Sequence, residues 1–303
     1  MIKTHLLLLF SCLITSCLLS NCSSSTTSKT NTNSPKDTLI QIPTEWIKKL
    51  RAMKTFENPP GEMVQEFRGF LYPNDSIFND FKYSKPYINP LFVNLDESPE
   101  DELLLLIGSE LTRFFNVIKK IDDRWYLLCE SFAGGWHSSP NLKIENASPD
   151  KKVFYLNYLQ GHGSAFHRES LNIFRIENNQ AWVNDQFVST SWNSMGYLLS
   201  HYVVASDIFF TNLTGLSITY KYGFTLGRGC NKYLKDTTRL WKDTLLFDQP
   251  FLEGEESFYF KWDTIKKQYA LKNTQQQKKF DVLTKPITIA KFCKVFKSEL
   301  DTL

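Results

Sequence analysis

Residues 171–188 read LNIFRIENNQAWVNDQFV, and this stretch decides the fold. Apolar and polar residues alternate on both sides of Asn178-Asn179, the period-two pattern of half-buried strands. Asn tolerates left-handed backbone angles, so two in succession between such segments predict a tight hairpin turn. Working outward, the same grammar repeats. KVFYLNYLQ (152–160) precedes RESLNIFRIEN (168–178), with the glycines of QGHG between them to make a bend. FFNVIKK and RWYLLCESF flank Asp122-Asp123, SFYFKW and QYALK flank the 263–267 turn, and GLSITYKYGFTL (215–226) reads as a further strand. The expected body is a mainly β antiparallel meander of about ten strands, a sandwich or a partial propeller-like set of sheets. No strict repeat supports a full propeller, which needs regular units of about 40–45 residues.

Helical spacing is confined to the flanks. Trp46, Ile47, Leu50 and Met53 share a face within 43–54, as do Met63, Val64, Phe67 and Phe70 within 60–71. Ile289, Phe292, Val295 and Phe296 predict a closing helix after Pro286, whereas Lys272, Lys278 and Lys279 around QQQKK read as a solvated basic turn. The expected organisation is a leader at 1–16, a tether at 17–40, a helical lead-in at 41–85, a β domain at 86–275 and a C-terminal helix at 276–303.

Of 303 residues, 35 are basic and 32 acidic, a net charge of +3 without a basic stripe, so nucleic acid is not an expected partner. The 24 Phe, 13 Tyr and 7 Trp favour sheet faces. At the N-terminus, Lys3 precedes an apolar run from Leu6 to Ile14 that is too short to span a bilayer, as an export signal is. Residues 23–38, SSSTTSKTNTNSPKDT, lack apolar periodicity and read as a flexible tether.

Ile14, Thr15, Ser16 and Cys17 resemble the lipobox of bacterial lipoproteins, whose cysteine is acylated and becomes the mature N-terminus. Leu19, Ser20, Asn21 and Cys22 form a second match with a larger residue before the cysteine, so Cys17 is the expected lipidation site and Cys22 the alternative. The resemblance implies a palmitate-bearing membrane anchor in the cell envelope. Neither cysteine is followed by Asp, which by bacterial sorting rules implies the outer membrane. In an exported body Cys129 and Cys230 are a candidate disulfide pair.

In FVNLDESPEDELLLLIG (92–108), Asn94, Asp96, Ser98 and Glu102 occupy the first, third, fifth and ninth places of a D-x-D-x-D-G-x-x-D loop. With the apolar strand that follows, residues 90–108 resemble the calcium loop of FG-GAP and VCBS-type β repeats. That resemblance implies calcium on those four residues. The copy departs from the pattern at Asn94 and Ser98, which replace carboxylates, and at Pro99, which stands where Gly makes the sharp turn. An acidic turn without a cofactor is therefore the expectation, with calcium the alternative.

In QGHGSAFHRES (160–170), His162 and His167 lie five apart, which on one continuous strand puts them on opposite faces. Ser164 lacks the second Gly of a nucleophile elbow. Trp136 and His137 sit beside two glycines, and with Trp192, His201 and Asp207 they could line a pocket that takes a glycan or peptide. The expected function is a lipid-anchored envelope protein acting as a binding or structural module. The alternative is an envelope hydrolase built from His137, His162, His167, Glu169 and His201, which requires those histidines to converge.

Overall fold

The computed structural model describes residues 39–53, 55–56, 59–73, 84–96, 98–135, 140–148, 151–163, 166–193, 199–226, 252–285 and 289–297. Cys17, Cys22, Trp136, His137, Ser164 and Cys230 lie outside the described residues. The described residues from Leu39 onward belong to one compact unit.

That unit is mainly β, with two antiparallel sheets, as the alternating pattern predicts. The first sheet contains β1 (Ile40–Ile42), β2 (Pro86–Val93), β3 (Glu102–Ser109), β4 (Thr112–Ile121) and β5 (Arg124–Gly135), in the order β1-β5-β4-β3-β2. The second contains β6 (Asn141–Ser148), β7 (Lys151–Gly163), β8 (Phe166–Glu177), β9 (Gln180–Asn193), β10 (Leu199–Thr211), β11 (Gly215–Leu226), β12 (Leu252–Asp263) and β13 (Gln268–Ala270). Its strands follow one another in chain order across the sheet, each antiparallel to its neighbour. Neither sheet closes into a barrel.

The turns explain that topology. Asp122 and Asp123 have φ of 48° and 65°, and Asn178 and Asn179 have φ of 53° and 58°. Two successive left-handed residues match the right-handed twist of the strands they join. Gly108 has a different constraint: at φ +148° an added Cβ would meet the Thr112 carbonyl oxygen at 2.2 Å. Neither backbone can yield, so Gly108→Ala is expected to cost about 1–3 kcal/mol. Urea unfolding measures this, and a cost near zero would refute the constraint.

Helices α1 (Thr44–Ala52) and α2 (Gly61–Leu71) cover one face of the first sheet. α1 starts after Pro43, carries Glu45 in its first turn and Lys49 and Arg51 in its last, and so complements its dipole. Trp46, Ile47, Leu50, Val64 and Phe67 bury against Leu103, Leu105, Ile107 and Trp125, and the Trp46 indole donates to the Met63 carbonyl at 3.1 Å. The other face of this sheet, through Leu104, Leu106, Phe115 and Val117, packs on Phe154, Leu156, Tyr158 and Phe174 of the second sheet. Phe154 and Phe174 are cross-strand partners stacked at 5.0 Å, with Phe115 tilted against both. Such aromatic pairs add about 0.5–1.5 kcal/mol beyond area burial. β3 is buried along its whole length because it has a layer on each side.

The far face of the second sheet holds a larger aromatic core: Phe187, Tyr220, Phe224, Phe258 and Phe260 pack on Phe280, Leu283, Phe292 and Phe296. The last four come from α3 (Thr274–Thr284) and α4 (Ile289–Val295) or the residue just after it. α3 overlaps the C-terminal helix expected over 276–303, yet it also takes in Lys278 and Lys279, which read as part of a solvated turn. Asn273 caps it, its side chain accepting from the Gln275 and Gln276 amides at 2.8 and 3.2 Å. The apolar residues cluster in its second half, so no helical period shows, yet Phe280, Val282 and Leu283 are buried. The order of layers is helices, five-stranded sheet, eight-stranded sheet, helices.

Candidate functional site

Among the described residues, the 94–102 loop is laced by hydrogen bonds and ion pairs to protein groups. Lys119, from β4, reaches across the β3–β4 hairpin, bonding Asp96 and lying 3.3 Å from Glu102 Oε1. Asp96 accepts from the Ser98 amide at 2.8 Å, Glu102 from the Leu95 amide at 2.8 Å, and the Asn94 side chain donates to the Ser98 carbonyl. The Asn94 carbonyl accepts from Lys152 at 2.8 Å, and Lys120 pairs with Glu100 at 2.8 Å. Burial alone would raise Asp96, but bonds from Lys119 and Ser98 outweigh it and hold its carboxyl below the ordinary value. Glu102 is the reverse: burial dominates and keeps it raised. An ammonium thus stands among the carboxylates that a calcium loop would aim at its ion. Among the described residues, no group of three His, Cys, Asp or Glu is placed to hold a metal.

The histidines do not all gather on one face of the second sheet. His162 and His167 are direct cross-strand partners on β7 and β8, not two positions on one strand, because the chain turns between them. His167 Nε2 lies 3.2 Å from Glu169 Oε1 on the partly open face. His201 alternates with Tyr202 on β10 and turns to the far, helix-covered face of the second sheet (its inner face, the opposite one being its outer face), stacked at 5.5 Å on Phe224. Burial first, then the charge of Arg168, lowers its pKa to about 4. An imidazole so depressed is neutral at ordinary pH and is a poor general acid there. His167 and His201 are therefore on opposite sides of the sheet.

Cys129 on β5 is a free thiol, and burial pushes its pKa up to about 12. A cleft of about 460 Å³ lies beside α1, with Ile47, Lys48, Arg51, Asp101 and Trp125 among its lining residues. Its basic rim is already paired, Lys48 with Glu45 and Lys120 with Glu100. The Arg51 guanidinium lies on the Phe92 ring at 4.4 Å.

The remaining candidate is a transverse row on the outer face of the second sheet. His167 partners Trp192, Trp192 partners Tyr202, Tyr202 partners Gly223, and Gly223 partners Glu253, one residue from each of β8 to β12. The five-stranded sheet covers this face near β7 and β8 but leaves Trp192 36% and Tyr202 39% exposed. Tyr202 lies over Gly223: a Cβ there would meet two of its ring carbons at 2.4 and 2.7 Å and its hydroxyl oxygen at 2.9 Å. Its hydroxyl donates to Glu253 at 3.4 Å. The missing side chain thus leaves room for the Tyr202 ring to cross over β11 toward Glu253. Val204 sits beside it, and farther along the same strands Phe209, Ser217 and Tyr259 form another partnered row, with both aromatics exposed.

The pocket expected from the sequence joins Trp136 and His137, outside the described residues, to Trp192, His201 and Asp207. The structure leaves Trp192 and Asp207 exposed and sends His201 inward. Tyr202, Gly223 and Glu253 escaped that reading. A Gly inside the strand GLSITYKYGFTL was the available signal, since it marks close approach of another group. Chemically, the row offers two aromatic surfaces flanked by carboxylate and imidazole hydrogen-bonding groups. Compared with protein-family models, curated proteins and solved structures, the chain finds no match in any of the three.

Proposed function

We propose that the protein is a lipid-anchored component of the bacterial cell envelope, in the outer membrane, and that it acts as a binding module through the outer face of its eight-stranded sheet. The anchor rests on the lipobox-like residues ending at Cys17, with Cys22 as the alternative, and on the polar tether that follows. The binding role rests on one observation above the others: Trp192 and Tyr202 are adjacent and open to solvent, and Tyr202 is seated over Gly223 and bonded to Glu253. An aromatic pair fixed in advance loses little side-chain freedom on binding. The hydrolase alternative is weakened by the separation of His167 from His201, which gives those two no common cleft.

Two measurements test the reading. In metabolic palmitate labelling, Cys17→Ala is expected to lose the label and Cys22→Ala to keep it. Label that survives both substitutions together would refute the anchor. The detergent-solubilised chain is then mixed with purified envelope fragments, where Trp192→Ala with Tyr202→Ala is expected to abolish co-sedimentation. Unchanged co-sedimentation of that variant would refute the binding face.

A further inference from the structure

The open face combines features that select a class of ligand. On β9 to β12 its outward residues are Trp192 and Tyr202 at one end, Phe209 and Tyr259 at the other, and Thr219 and Ser257 between, their hydroxyls 2.8 Å apart. The span from Glu253 to Tyr259 on β12 is about 20 Å at the rise of a β-strand. An extended chain lying along the strands would meet an aromatic pair at each end and hydroxyls and carboxylates in the middle.

Charge narrows the choice. The face presents Glu169, Asp207, Glu253 and Glu255 against Lys221 and Lys261, and Lys221 is already 3.9 Å from Glu255. Carboxylates in excess repel polyanions and accept hydrogen bonds from hydroxyls. A pyranose with equatorial substituents has a flat C–H face for an aromatic ring and a rim of hydroxyl donors. Tyr202, laid over Gly223 and 39% exposed, offers aromatic surface to that face.

Resting on the reading of this face as the ligand-binding surface, we infer that its ligand is an uncharged polysaccharide of equatorially substituted pyranoses, bound as an extended segment reaching from Trp192 and Tyr202 to Phe209 and Tyr259. A dimer fits one aromatic pair only, whereas a hexamer can reach both. Length dependence is therefore built into the proposal.

The test titrates the detergent-solubilised full chain with cello- and chito-oligosaccharides, dimer and hexamer, following tryptophan fluorescence and heat. The hexamer is expected to bind about tenfold or more tighter than the dimer. Trp192→Ala or Tyr202→Ala should weaken both ligands, Phe209→Ala with Tyr259→Ala the hexamer alone, and Ile265→Ala, which alters a residue 92% exposed in a turn, neither. Dextran sulfate should not compete. Equal affinity for dimer and hexamer, or competition by dextran sulfate, would overturn the assignment. If neither oligosaccharide series binds, a basic unstructured peptide is titrated next. Peptide binding that is lost in Trp192→Ala would overturn the polysaccharide and leave the face standing. Failure of both ligands, or binding of either that survives Trp192→Ala with Tyr202→Ala, would overturn the face itself.

Discussion

Lys119→Met is expected to destabilise the protein by about 3–5 kcal/mol, because it leaves buried carboxylates without their cation. The side chains of Lys119 and Glu102 are 8% and 1% exposed, so water cannot replace the lost partner. Asp96 carries the direct bond and Glu102 the deeper burial. The pH dependence gives the stricter check. Asp96 is held below its ordinary value, so in the native protein it contributes stability above the unfolded carboxyl range, lost as pH falls through its folded value. Glu102 is raised, so its contribution is greatest when protonated and declines as pH rises through its folded value. Without Lys119 both carboxyls move upward, and the variant's deficit should shrink as the solution is acidified. Urea unfolding at about pH 7 and about pH 4 measures both effects. Adding Asp96→Asn and Glu102→Gln to Lys119→Met should recover part of the loss, since neutral amides do not need the cation. A deficit that does not change with pH would mean that lost packing, not charge, is responsible.

That ion cluster also shows where sequence reading stops. The acidic turn and the apolar β3 are legible locally, since their residues are contiguous and Pro99 is incompatible with the turn that a calcium loop makes. Lys119 lies 23 residues from Asp96 and arrives only when β4 folds back on β3. The hairpins at Asp122-Asp123 and Asn178-Asn179 were legible because the demand for left-handed backbone is local too. Helices α1 and α2 were readable from their apolar stripes, but α3 was not, because its cap and its concentrated apolar end do not make a period. The outer row is the least legible feature. Its members at 167, 192, 202, 223 and 253 align only through the register of five strands, including a shift between Glu169 and Ser170. No window of sequence contains that information. Trp192 could be suspected as a lone aromatic, but the Gly223 seat that orients Tyr202 could not.

His201→Phe is expected to remove an acid sensitivity of about 2 kcal/mol between about pH 7 and about pH 5. The sign follows from the inner face. In the unfolded chain His201 titrates near an ordinary imidazole value of about 6.5, whereas in the fold it is lowered to about 4 by burial and then by Arg168. Between those values the unfolded state takes up a proton that the native state refuses. Stability supplied by the neutral imidazole is present above the unfolded value and is lost as pH falls toward the folded one. Phenylalanine keeps a ring against Phe224 and has no proton to bind, so the variant should unfold in urea at closer to the same midpoint at both pH values. The native protein should show a lower midpoint at about pH 5. An NMR titration in which His201 protonates near its ordinary value would refute the shift. The same titration bears on function. An imidazole that stays neutral inside an aromatic core is a packing residue, and the case for catalysis would then fall to His167 and Glu169 on the other face, where the aromatic row offers a surface for binding instead.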